Sequence, residues 1–163
     1  MEVKRQEDLL RIKEEYLARK ESYRRQVLVC GGAGCISSNC GEVRDALVKA
    51  VENFQLSGEV QVMVTGCMGT CAMGPVILVE PEGVFYTKMT PDKVEQVVAR
   101  HLLKDEICEE FTYFNEETGK YVPRMEDIDF FQGQVRIALR NCGHMEYASL
   151  EAYISRDGYG ALA

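Results

Sequence analysis

The chain has 163 residues, 46% of them apolar and 28% charged, and carries a net charge of −7. That composition excludes disordered, collagen-like and membrane-spanning classes, and the length excludes most stand-alone flavin or nicotinamide enzymes. No stretch approaches the ~20 apolar residues of a membrane span, and the charged amino-terminal region has no apolar signal-peptide core, so a cytoplasmic protein is expected. Residues 1–25 hold eight basic and six acidic side chains, and the remaining 138 hold eleven and twenty, a balance of +2 against −9. An acidic main body disfavours a nucleic-acid partner and suits solubility or docking to a basic protein.

The segment Glu2 to Gln26 lacks Gly and Pro and places Leu9, Ile12, Tyr16 and Tyr23 at helical spacing. This predicts a surface helix with one thin apolar stripe and pairs such as Glu15 with Arg19. Gln26 to Val29 begins a strand, and Cys30 to Gly34 is a glycine-rich break. Glu42 to Phe54 puts Val43, Leu47, Ala50, Val51 and Phe54 on one helical face. Val60 to Val64 reads as a second strand, followed by a loop at Cys67 to Gly74. Val76 to Val79 and Val84 to Thr87 read as a hairpin around the turn Glu80 to Gly83. Thr90 as N-cap and Pro91 in the first turn open a helix through Leu103 that buries Val94, Val97, Val98 and Leu102.

Strand-helix-strand followed by hairpin-helix is a compact α/β unit of the thioredoxin-like kind, with its first two strands parallel. The chain divides into an amino-terminal helix (1–26), this domain (27–103) and a carboxy-terminal connector (104–163). Between Lys104 and Phe130 nine carboxylates face three basic groups, with a turn at Gly119-Lys120 and Pro123, which reads as an extended linker rather than core. Gln134 to Leu139 is a candidate strand and Ser149 to Ile154 a short helix. The last 35 residues hold too few apolar positions to form their own core and must pack on something else.

Seven cysteines are many for a chain without a secretory signal, and their odd number argues against a complete disulfide framework. Four of them form two pairs. Cys30 and Cys35 are separated by four residues, Cys67 and Cys71 by three, with 31 residues between the pairs. Both pairs follow predicted strands that run parallel, so their loops open at the same end of the sheet and converge. Four converging thiolates can hold a 2Fe-2S cluster or one tetrahedral zinc, or can be structural cysteines. The surrounding glycines favour the cluster because exposed N–H groups in such loops can hydrogen-bond its sulfurs, whereas zinc sites more often use paired two-residue spacings.

Val27-Leu-Val-Cys-Gly-Gly-Ala-Gly-Cys-Ile-Ser-Ser38 and Thr65-Gly-Cys-Met-Gly-Thr-Cys-Ala-Met-Gly-Pro75 resemble the thioredoxin-like 2Fe-2S ferredoxin domain. That domain lies at the amino end of NADH-oxidising β subunits of electron-bifurcating hydrogenases and related formate dehydrogenases. Tyr121 to Asp127 and Phe130 to Gly143 are similar to the connector into the flavin domain of those subunits, which the flavin-binding subunit of respiratory complex I shares. Ser149 to Leu162 is similar to its opening helix. The resemblance implies one-electron transfer, cluster ligands at Cys30, Cys35, Cys67 and Cys71, and other iron-sulfur and flavin subunits as partners. It also implies that FMN, NAD and 4Fe-4S sites belong to a remainder that this chain lacks, as an amino-terminal fragment, a split-gene product or part of a longer subunit would.

Cys40 departs from that pattern. It lies near a predicted helix start, where a thiol can become reactive, and it could replace a ligand if the loop rearranged. Cys108 and Cys142 read as packing residues. His101 reads as an imidazolium favoured by a helix carboxyl end, and His144 has no second metal-ligand neighbour. Met63, Met68 and Met73 flank the cysteine loops as an apolar shield or as generic packing. Gly32-Ala-Gly34 fails as a dinucleotide fingerprint because Ser37 occupies the next glycine position. Two other functions compete with electron transfer: a zinc-stabilised docking module, and a thiol-disulfide oxidoreductase, which the absence of a CxxC pair disfavours.

Overall fold

Val27, Leu28 and Val29 form an unbroken apolar run, the pattern of a strand covered on both faces, and all three are buried. In the computed structural model, which describes residues 5–162, they lie in β1 (Arg25–Cys30), an interior strand of a four-stranded sheet. The chain enters through α1 (Gln6–Glu21), whose amino end is closed by the Asp8 carboxylate accepting the Arg5 N–H at 3.0 Å. The part of the expected first helix before Arg5 lies outside the described residues, as does Ala163 at the end of the connector.

After β1 come α2 (Ala33–Ser37), α3 (Cys40–Asn53) and β2 (Val60–Thr65), then β3 (Ile77–Glu80) and β4 (Val84–Tyr86). The sheet order is β2-β1-β3-β4. β1 runs parallel to β2, with Arg25 opposite Val60 and Cys30 opposite Thr65, and antiparallel to β3. The crossover helix α3 packs on β1 and β2 through its apolar stripe of Val43, Leu47, Ala50 and Val51. Burial of each valine or leucine there contributes roughly 1.5–3 kcal/mol relative to exposure, and of the alanine methyl less.

The helix after the hairpin begins as expected at α4 (Pro91–Val97), although the Thr90 side chain makes no capping bond. It loosens into a π-helical turn at Val98–Leu102. Asp105 then stops it in the left-handed region at φ 63°, with its N–H returned to His101 O at 3.1 Å. Val94, Val97, Val98 and Leu102 are all buried, as their spacing requires. Buried Arg25 ties the start of β1 to this helix end, donating to Glu82 at 2.7 Å, to Leu102 O at 3.2 Å and to Asp105 at 2.7 Å.

Residues 104–131 differ from an extended linker. Cys108, Met125 and Ile128 join the central core, and the segment lies along the outer edge of β4. Phe85 N–H donates to Pro123 O at 2.8 Å and Thr87 N–H to Phe111 O at 2.9 Å, so the chain supplies the backbone partners that an edge strand lacks. Within this stretch β5 (Tyr113–Asn115) and β6 (Lys120–Val122) form a hairpin around Gly119, which needs its positive φ of 66°. Many acidic groups here are solvated outer positions on a segment whose inward side chains are apolar.

A short helix, α5 (Asp129–Gln132), follows, but the candidate strand Gln134–Leu139 does not form. Val135 and Ile137 are 89% and 81% exposed, so the alternating pattern has no sheet to join. The chain then returns to the opposite sheet edge. Tyr147 N–H donates to Val64 O at 2.7 Å, and Glu146 bridges Thr65. The last α-helix, α6 (Leu150–Ser155), is capped by Ser149 Oγ accepting from Ala152 N–H at 3.2 Å and packs on α1. Ile12 and Tyr16 are buried on α1, as are Ala152 and Ile154 on α6. Lys13 pairs with Asp157 at 2.7 Å, and Arg19 reaches Glu151 rather than the expected Glu15. Such exposed ion pairs add little, about 0–1 kcal/mol each, so the apolar contact dominates this union.

Candidate metal centre

The parallel register brings the carboxyl ends of β1 and β2 to the same end of the sheet, and Gly31 N–H fastens the first loop to Thr65 O at 2.9 Å. Cys30 ends β1 and Cys35 lies in α2, while Cys67 follows β2 and Cys71 opens a 3-10 turn, Cys71–Met73. The two loops touch where they carry glycine. A β-carbon on Gly32 would lie 2.8 Å from Cys67 Sγ, and one on Gly34 would lie 3.0 Å from Cys71 Sγ. Only residues without a side chain let the four sulfurs approach across this gap.

Cys30 is close enough to Cys35, and Cys71 to Cys67, for each to raise its neighbour's pKa, and Cys30 also acts on Cys67. Among the described residues no group of three or more His, Cys, Asp or Glu is gathered tightly enough to hold a single metal ion. Two loops that each carry two cysteines match the demand of a 2Fe-2S cluster, which takes two thiolates on each iron. The inner couple is dry, with Cys30 and Cys35 each 2% exposed, whereas Cys67 is half-buried and Cys71 is exposed. Burial, reinforced by the Cys30 thiol, pushes Cys35 up to about 12, against the pull of the Val76 N–H. The Gly69 N–H lowers Cys67, but burial and the neighbouring Cys30 and Cys71 thiols outweigh it and leave it raised. Thiolates can accumulate at such a site only with compensating positive charge, which iron would supply.

The remaining cysteines occupy different surroundings. Cys40 is buried at the first turn of α3 beside Cys30, and burial raises its pKa, contrary to the lowering expected from a helix amino end. Cys142 lies against the second loop, its sulfur 2.6 Å from where a Gly66 β-carbon would be. The neighbouring Gly143 N–H donates to Thr65 Oγ1 at 2.9 Å. Cys108 is buried in the core, with its thiol toward Gln96 O at 3.8 Å. Met63 and Met68 are buried near the loops and Met73 is half-buried.

Neither histidine joins this group. His101 is not a charged cap: it is 1% exposed, and burial, then Arg25, lower its pKa to about 4. Tyr86 Oη accepts the Cys108 N–H at 3.3 Å and shares a hydrogen bond with His101 Nδ1 at 2.9 Å, its direction set by the ring's tautomer. His144 lies beside Arg136 at 3.3 Å, with its pKa lowered by burial and by Arg136, Arg156 and Lys20. The N–H donors of Gly69 and Val76 carry no signature in a sequence.

Residues 15–102, more than half of the chain, match the family described as thioredoxin-like 2Fe-2S ferredoxin. The chain belongs to this family. The ferredoxin is 40% identical over 73 residues to the 2Fe-2S ferredoxin of Clostridium pasteurianum, covering 45% of this chain and 72% of that one. It is 36% identical over 69 residues to the 2Fe-2S ferredoxin of Aquifex aeolicus (strain VF5), covering 42% and 62%. The 1.5 Å crystal structure of the wild-type thioredoxin-like 2Fe-2S ferredoxin from Aquifex aeolicus superposes with a TM-score of 0.51 at 32% identity, covering 55% of this chain and 95% of that chain. The ferredoxin thus has the thioredoxin-like α/β fold, with an amino-terminal helix and a long carboxy-terminal region, and its chemistry is electron transfer through a 2Fe-2S cluster. Among the described residues no helix is long and apolar enough to cross a membrane.

Proposed function

We propose that Cys30, Cys35, Cys67 and Cys71 ligate the cluster, and that the ferredoxin is the electron-transfer domain of a flavin-containing, NADH-oxidising assembly of the bifurcating hydrogenase or formate dehydrogenase type. The observation that supports the ligand assignment is the close approach of the two cysteine loops, Gly32 against Cys67 and Gly34 against Cys71. The cluster supplies a one-electron couple with no bond made or broken at the protein. The chain's own part is to fix the sulfurs, to keep water from the inner couple and to direct N–H groups of Gly69 and Val76 at Cys67 and Cys35. Because Cys71 is the exposed ligand, a redox partner approaches over the second loop.

The wider assembly is supported by the connector motifs at Tyr121–Asp127 and Phe130–Gly143. It is also supported by the side chains that this region leaves in solvent: Val135 at 89%, Ile137 at 81% and Leu162 at 84% exposure. A following flavin domain, carrying FMN and the NAD and 4Fe-4S sites, would cover them. The test is anaerobic purification with assay of iron, zinc and acid-labile sulfide, followed by EPR of the reduced protein. Two irons and two sulfides per chain are expected; one zinc without sulfide identifies a docking module instead. NADH is expected to reduce the cluster only when the flavin subunit is supplied, and failure there removes the assignment to this class of complex.

A further inference from the structure

Two buried side-chain oxygens among the described residues lack a hydrogen-bond partner: Thr70 Oγ1 and Glu82 Oε2. The second belongs to a carboxylate already held through its other oxygen by Arg25. Thr70 has no such explanation. It is 7% exposed, and a hydroxyl left unpaired in that environment costs about 1–3 kcal/mol, so native structures rarely leave one. Its position supplies the reason. Thr70 is buried between exposed Gly69 and exposed Cys71, directly before a candidate ligand and in the loop that Gly32 and Gly34 of the first cysteine loop approach. Nearby backbone carbonyls are engaged: Thr70 O with Met73 N–H at 2.9 Å, and Cys71 O with Gly74 N–H at 3.2 Å.

We propose that the Thr70 hydroxyl donates a hydrogen bond to a sulfur of the cluster seated between the two cysteine loops, and that this bond raises the reduction potential. The inference rests on the ligand assignment above. A donor to sulfur stabilises the reduced state more than the oxidised one, because reduction adds negative charge to the cluster and its sulfurs. Thr70 is therefore a positioning and tuning residue rather than a ligand.

Thr70→Val keeps the volume and removes the hydroxyl, whereas Thr70→Ser keeps the hydroxyl and removes the methyl. Both are purified anaerobically, assayed for iron and sulfide, and titrated potentiometrically with EPR detection. The valine variant is expected to shift the oxidised-reduced equilibrium on the order of tenfold against reduction, about 59 mV downward for a one-electron couple, with serine close to the parent. Resonance Raman iron-sulfur bands are expected to shift less in deuterium oxide for the valine variant than for the parent. If Thr70→Val does not load, Thr70→Ala, which also lacks the hydroxyl, must show the same fall. A loaded valine or alanine variant at the parent potential, or a serine variant sharing the fall, overturns the proposal. A parent protein without two irons and two sulfides instead overturns the ligand assignment.

Discussion

Gly34 and Cys71 are packed so closely that a β-carbon on the glycine would lie 2.9 Å from the cysteine β-carbon and 3.0 Å from its sulfur. In the metal-free chain the sulfur can rotate away, and the β-carbon contact is relieved by a small shift of one loop against the other. Once both cysteine loops are tied to the same cluster, that freedom is lost. Gly34→Ala is therefore expected to fold with an unchanged far-UV circular dichroism spectrum but to retain less than half the parent's iron and sulfide. Full loading of that variant would show that the loops tolerate a wider separation.

The graded exposure of the thiols predicts an order of reactivity. In protein stripped of iron, brief alkylation read by mass spectrometry is expected to modify Cys71 ahead of Cys67, with Cys30, Cys35 and Cys108 protected by burial. In loaded protein all four candidate ligands are expected to be unreactive. By the same reasoning Cys67→Ser and Cys71→Ser impair cluster assembly, while Cys108→Ser, whose thiol faces Gln96 O in the core, leaves it intact.

Thr65 serves two segments: its carbonyl accepts Gly31 N–H from the first cysteine loop, and its hydroxyl accepts Gly143 N–H from the connector. Thr65→Val preserves shape but orphans the Gly143 N–H, which costs about 1–3 kcal/mol. The expected result is faster amide exchange across residues 143–147 in the variant, with iron content unchanged. Unaltered protection there would mean that the apolar contact of α6 with α1 alone holds the connector.

The neutral His101 links stability to pH. The unfolded ring titrates near 6.5, whereas the folded ring resists protonation until about 4. Below pH 6.5 the unfolded state therefore binds the extra proton, so this contribution is complete above 6.5 and is lost as the pH falls toward 4. Its full size is on the order of 3 kcal/mol. His101→Gln, whose amide can still hydrogen-bond Tyr86 in either direction, is expected to lose less unfolding free energy than the parent between about pH 7.5 and pH 5 in urea titrations. Parallel profiles would mean that other groups dominate the acid limb.

The strands and the meeting of the two cysteine loops were legible because their signals are local. Val27–Val29 and Val60–Val64 are short apolar runs, and each pair of cysteines follows its run directly. The errors arose where a distant residue decides the outcome. His101 ends a helical pattern, but Tyr86, fifteen residues earlier, supplies its hydrogen bond and the core removes its water. Val135, Ile137 and Leu139 alternate as a strand does, yet alternation makes a strand only where a backbone partner exists. The acidic stretch after Lys104 concealed Cys108, Met125 and Ile128, single apolar residues that dock because β4 has an open edge to receive them. Thr70 gave no warning, since a hydroxyl between two cysteines looks the same whether it faces solvent or sulfur.

The connector's course along both margins of the sheet limits how other proteins can attach. Segments around Thr112 and Arg124 occupy the margin at β4, and Glu146 and Tyr147 occupy the carboxyl end of β2. At those places an incoming chain cannot extend the sheet by adding its own strand, the route by which unprotected margins also drive aggregation. Recognition is thereby left to side-chain surfaces, where a redox partner can bind and release quickly without rearranging the backbone ladder.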